Sequence, residues 1–248
     1  MKIKYQIKGD TCRILPGIYK IGKREAYQIK EEYKKLILPS TVVSIGQCAF
    51  EYKILLESVQ LPKGLKEIGA NAFYCCDELK EVIIPDEVTT IGKEAFDSCK
   101  KLNKISIGNN VKNIGSGAFA SCAISSIKIP NTVTTIKDST FYGCSNLTSV
   151  DIPCSIKAIK AGAFSKTNIK DLYLSADSYH YEALVKAFDN GAFRGRGPGA
   201  IERSEYLAKE FNNDRFLVYY GITLHVPKGT ERDYQNHHFF GKFQIVTR

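Results

Sequence analysis

Eight cysteines and four histidines are the side chains through which this 248-residue chain would bind a metal, form disulfides or attack a substrate. Four of the cysteines, Cys76, Cys99, Cys122 and Cys144, recur at a nearly constant step, and each stands three places after a phenylalanine. A disulfide framework joins sequence-distant corners of a small, loop-rich fold, and zinc is surrounded tetrahedrally. A single file of thiols does neither. If the step is the period of a stacked fold, successive thiols lie one coil apart, about 4.8 Å, so a bridge between neighbours stays geometrically open. The simpler reading is that these cysteines are small buried apolar fillers.

The remaining reactive side chains form no set. His237 and His238 are adjacent and badly placed to share a metal, and His180 and His225 have no companion motif. Local spacing yields no Ser/His/Asp or Cys/His arrangement, and a set assembled from distant residues leaves no such mark. The run Arg194-Gly195-Arg196-Gly197-Pro198-Gly199 matches neither glycine-rich phosphate motif. It reads as a loop tip through which Arg194 and Arg196 contact an acidic partner. No catalytic residue, cofactor or metal is expected.

The elements that position these residues repeat. Prolines stand at positions 39, 62, 85, 130 and 153, with Gly108 in the same slot between the third and fourth. The step is the same throughout except from Gly108 to Pro130, where it is one shorter. Six places after each comes an isoleucine (Ile45, Ile68, Ile91, Ile114, Ile136, Ile159), and eleven after each a phenylalanine (Phe50, Phe73, Phe96, Phe119, Phe141, Phe164). Such a sequence is a solenoid, in which each repeat buries its apolar side chains only against its neighbours. Apolar residues three and one before the proline, such as Val82 and Ile84, mark a short strand, and stacked coils line these strands into a parallel sheet. Proline ends the strand because it has no amide to donate. A second short extended piece carries the isoleucine, and a helical or turn-like return brings the phenylalanine inward. Gly108 and the coil that is one residue short after Cys122 read as tolerated corner variation.

The flanks are less regular. Residues 1–35 read as a worn capping coil, with Pro16 in the proline slot, Tyr27 where later coils place phenylalanine, and an alternating strand over residues 2–8. Residues 36–174 are the array. Residues 175–221 read as a helical insertion with helices over 181–188 and 201–211, and 222–248 as a capping strand and tail using Tyr234, Phe240 and Phe243. The charge of +9 is concentrated at the start: residues 1–35 hold 10 basic against 4 acidic side chains, and 36–174 hold 15 against 13. A near-neutral array does not read as a nucleic-acid surface. No apolar run is long enough to span a membrane, and residues 1–8 lack an apolar signal core, so the protein stays inside the cell or a targeting segment lies outside this sequence.

Phrases such as Ile129-Pro130-Asn131-Thr132-Val133-Thr134-Thr135-Ile136 and Ile91-Gly92-Lys93-Glu94-Ala95-Phe96-Asp97-Ser98-Cys99 closely resemble the BspA-like leucine-rich repeat family. The resemblance implies a right-handed leucine-rich-repeat solenoid: a parallel β-sheet of short strands, short helical or turn-like returns, and here a helical insertion near the C-terminal cap. It also implies bacterial (notably Bacteroidetes) or protozoan proteins that act in recognition and adhesion at the cell surface, bind host, matrix or cell-surface proteins, and carry no family-wide catalytic residues. Outward strand positions are then the candidate binding face. Tyr173, with Asp151 and Asp171 beside it and His225 and Lys128 near, is the place to look first, since tyrosine is a favoured interface anchor. The rival expectation is an intracellular scaffold that docks its partner through the insertion 175–221.

Overall fold

The computed structural model describes residues 2–30, 32–175, 222–236 and 243–247. Each coil begins with a short strand. After the hairpin partner β1 (Tyr5–Lys8) these strands are β2 (Thr11–Ile14), β4 (Lys35–Ile37), β6 (Ser58–Gln60), β8 (Glu81–Ile83), β10 (Lys104–Ser106), β12 (Ser126–Lys128), β14 (Ser149–Ile152), β16 (Asp171–Leu174), β17 (Thr223–Val226) and β18 (Gln244–Thr247). Two-residue strands form a second side: β3 (Lys20–Ile21), β5 (Ser44–Ile45), β7 (Glu67–Ile68), β9 (Thr90–Ile91), β11 (Asn113–Ile114), β13 (Thr135–Ile136) and β15 (Ala158–Ile159). Apart from the antiparallel β1–β2 cap, the described strands pair in parallel and in register. Alternation drives this: Val82, Leu172 and Leu224 point inward and are buried, while Glu81, Ile83, Tyr173 and His225 point outward.

The third side is built of turns. The residues two before and two after each phenylalanine sit in left-handed backbone, among them Cys48, Tyr52, Asn71, Cys75, Glu94 and Lys166 with φ of 53–59°. Left-handed backbone costs an ordinary residue about 1–2 kcal/mol. The alternation it creates turns every second N–H toward the next coil: Asn71, Phe73 and Cys75 donate to the carbonyls of Lys93, Ala95 and Asp97 at 2.8–2.9 Å. This ladder repeats from Cys48 to Gly143 and offsets the strain. The return is turn-like, with no helix in the regular coils among the described residues.

Inside, Phe50, Phe73, Phe96, Phe119, Phe141 and Phe164 are fully buried and stack in one file, centroids 5.2–5.7 Å apart. Beside them Cys76, Cys99, Cys122 and Cys144 donate their thiols to the phenylalanine carbonyl of the preceding coil at 3.0–3.3 Å. All eight cysteines are free thiols.

Three expectations are corrected. The capping coil advances one position further than the regular coils, since Thr11 pairs with Lys35 and Lys20 with Ser44. That shift puts Leu15, not Pro16, in the proline slot and Ala26, buried at the end of α1 (Lys23–Ala26), in the phenylalanine slot. Tyr27 is therefore 70% exposed. Gly108 is not a tolerated variant, because a Cβ there would stand 2.4 Å from the Pro85 carbonyl oxygen. The short coil is also more than corner variation: β10 does not pair with β12, nor β11 with β13, so both strand ladders break at the same interface. The turn ladder continues across it, with Phe119 donating to Thr140 at 2.9 Å and Ser121 to Tyr142 at 2.7 Å.

At the far end, β17 and β18 extend the first ladder, and Tyr234 of α2 (Glu231–Asn236) and Phe243 are buried there. The insertion helices over 181–188 and 201–211, Arg194, Arg196, Phe240, His180, His237 and His238 lie outside the described residues.

Candidate functional site

The candidate residues come from strands separated in sequence but adjacent in the stack. Register pairs Lys128 with Asp151, Asp151 with Tyr173, and Tyr173 with His225, so these four form one row across β12, β14, β16 and β17. Ser149, Asp171 and Thr223 form the neighbouring row. All of them alternate with buried core residues (Val150, Leu172, Leu224), so the rigid interior fixes their direction.

One contact lies within the first row and a second joins the two rows. The rings of Tyr173 and His225 are stacked, centroids 4.2 Å apart and planes 13° apart. His225 Nε2 lies 2.8 Å from Asp171 Oδ1, and the two side chains are 18% and 36% exposed. The carboxylate fixes the imidazole orientation, and the imidazole supports one face of the tyrosine. The cluster thus presents an ordered aromatic pair, two carboxylates and the lysine Lys128.

All five sequence-derived face residues share this surface, and Arg194 and Arg196 are not among the described residues. What the sequence did not reveal is the His225–Asp171 contact, which joins two strands far apart in the chain. The carboxylate takes Nε2, the nitrogen that faces the nucleophile in a Ser-His-Asp triad, and among the described residues no hydroxyl or thiol is shown bonded to His225. No group of three or more His, Cys, Asp or Glu among the described residues is arranged to hold a metal ion, and no described helix is long and apolar enough to cross a membrane.

No curated protein matches the sequence. Among solved structures, the leucine-rich repeat protein TpLRR of T. pallidum is similar at 28% identity and a TM-score of 0.55, over 66% of this chain and 85% of that one. A leucine-rich repeat protein from Bacteroides ovatus is similar at 20% identity and a TM-score of 0.49, over 100% of this chain and 76% of that one. The sequence profile of the BspA type leucine rich repeat region, in six copies, matches residues 20–122 and 66–195. With its phenylalanine file, its parallel strand ladders and this profile match over most of its length, the chain belongs to the BspA-type leucine-rich repeat family.

Proposed function

We propose that the protein is a non-enzymatic recognition module that holds a protein partner against the outward face of β12, β14, β16 and β17. Repeat proteins of this kind commonly bind proteins, and their stacked strands form a rigid extended surface. The observation that carries the reading is the Tyr173–His225 stack fixed by Asp171. An aromatic anchor already held in place loses little freedom on binding. Asp151 and Lys128, in the same row, supply polar contacts at its rim. The partner this reading assigns is a host, matrix or cell-surface protein, and the role is adhesion.

The test is direct binding of purified matrix and cell-surface proteins to the full chain and to a Tyr173→Ala/Asp151→Asn variant. The variant is expected to lose at least about tenfold in affinity, roughly 1.4 kcal/mol. Its Tm should stay within about 2 °C, as for other surface substitutions. Equal affinity of both proteins for every partner captured by the wild type would remove this face from the account.

A further inference from the structure

The near-neutral charge of the array conceals a division. Residues 36–107 carry 8 basic against 10 acidic side chains, whereas 108–174 carry 7 against 3. In the first part four of the eight lysines are tied to carboxylates on neighbouring coils: Lys66 to Glu87, Lys80 to Glu57, Lys100 to Asp77 and Lys101 to Glu78. In the second part Lys112, Lys137, Lys157 and Lys160 form no ion pair among the described residues. Backbone bonds to the preceding coil fix three of them, and Lys137 follows β13 directly. Lys112 N–H donates to Thr89, Lys157 to Thr134 and Lys160 to Ile136, at 2.8–3.0 Å.

The backbone also decides where a side chain is excluded. The residue after the repeat isoleucine is glycine through Gly115, and at Gly92 and Gly115 a Cβ would meet the preceding coil at 2.3–2.4 Å. Past the short coil the same slot holds Lys137 and Lys160. The change falls at the broken β11–β13 interface, and Lys160 keeps the slot where β15 pairs with β13. Two side chains that the first coils exclude thus project beside the second strands, flanked by Lys112 and Lys157.

We propose that this second-strand face of the last coils docks an acidic polypeptide segment, at a place separate from the Tyr173 face. Lysine ammonium groups are point charges that pair with carboxylates without a fixed fork geometry, and no arginine lies between residues 36 and 174 to supply one. Segments 111–116, 134–138 and 157–161 contain no aromatic side chain on which a base could stack. Thr134 and Thr135 between the lysines add hydroxyls, and Asp138 is the one carboxylate in these segments. Lys137 and Lys160 stand one coil apart, about 4.8 Å, and Lys157 lies beside them, so several neighbouring carboxylates are met together.

The test uses the full chain and a fluorescein-labelled deca-glutamate peptide, read by anisotropy over a salt series. The wild type is expected to bind, with affinity falling as salt rises. Lys112→Gln/Lys137→Gln/Lys157→Gln/Lys160→Gln should lose at least about tenfold, while neutralising the ion-paired Lys100 and Lys101 leaves binding unchanged. The pair variants K112Q/K157Q and K137Q/K160Q each lose part of the affinity and decide the matter if the fourfold variant misfolds. The proposal is overturned if the wild type ignores the peptide, if the lysine variants bind it as well as the wild type, or if single-stranded DNA or a sulfated oligosaccharide of equal charge binds more tightly. The Tyr173→Ala/Asp151→Asn protein should bind the peptide normally, so failure at one face is distinguishable from failure at the other.

Discussion

Phe73 and Phe96 stack with ring centroids 5.2 Å apart and planes 5° apart, both fully buried. The separation exceeds the coil spacing of about 4.8 Å and falls in the range of offset ring stacks. Phe96 also stacks on Phe119, so one side chain covers two interfaces. Phe96→Ala is expected to cost roughly 3–5 kcal/mol, read from the urea midpoint. Phe96→Leu keeps much of the volume but loses both ring contacts, worth about 0.5–1.5 kcal/mol each, and should fall between. Equal midpoints for Leu and Phe would show that the stack adds nothing beyond volume.

The file of phenylalanines was legible because each copy states it again, and the strand rows followed from apolar residues two apart. Features stated once were not legible. Counting back from Pro39 by the regular step lands on Pro16, yet the backbone pairing runs one position further. Nothing in composition separates Ala26 from Tyr27 as the buried residue. The left-handed corner was hidden because its positions hold Cys48, Tyr52, Glu94 and Lys166 as well as glycine, and the turn ladder overrides their local preference. The candidate face was legible as a row, but the His225–Asp171 bond depends on β17 stacking on β16 past residues 176–221. The lysine set is not legible in the net charge of the array, because the acidic excess of residues 36–107 offsets it.

The thiol file makes stability fall at alkaline pH. Burial pushes Cys144 from 9.0 up to about 12, and burial raises Cys76 and Cys122 well above 9.0. A thiol near pKa 9 in the unfolded chain loses its proton first, so between about pH 9 and 12 the folded state binds more protons. Stability therefore declines as pH rises through that window and is fully present below it. Urea midpoints should be level from pH 7 to about 8.5 and drop above 9. A Cys76→Ala/Cys122→Ala/Cys144→Ala protein should show a shallower drop. In the same experiments the exposed Cys154 should react with iodoacetamide at neutral pH, and Cys76, Cys99, Cys122 and Cys144 only on unfolding.

Restoring the repeat consensus at position 108 should do harm. Proline fills this slot in the five other coils of the array, and replacing glycine by proline normally stabilises by narrowing the unfolded ensemble. Here any Cβ meets the Pro85 carbonyl oxygen at 2.4 Å and Asp86 Cα at 2.7 Å, both backbone atoms that cannot swing aside. Overpacking of this kind costs about 1–3 kcal/mol. Gly108→Pro and Gly108→Ala should both melt several degrees below the wild type. An unchanged or raised Tm would mean that the two coils separate readily there.

The interrupted ladders predict a band of rapid amide exchange in the middle of the array. Among the described residues Ser126, Thr135 and Lys137 have no coil-to-coil acceptor, whereas the equivalent Asp171, Ala158 and Lys160 donate to Thr148, Thr134 and Ile136. On the turn side of the same interface Phe119 and Ser121 remain bonded to Thr140 and Tyr142. Exchange in the native state is set by local opening, so the first three amides should exchange roughly a hundredfold or more faster than their counterparts, and Phe119 and Ser121 should stay protected. The missing residue after Cys122 coincides with the break, although the coil after Phe164 is equally short and keeps β14 paired with β16. Inserting one glycine after Ala123 should let β12 reach β10 and slow exchange at Ser126. Uniform protection in the wild type, or an insertion that leaves Ser126 exchanging as before, would separate the broken ladder from the coil length.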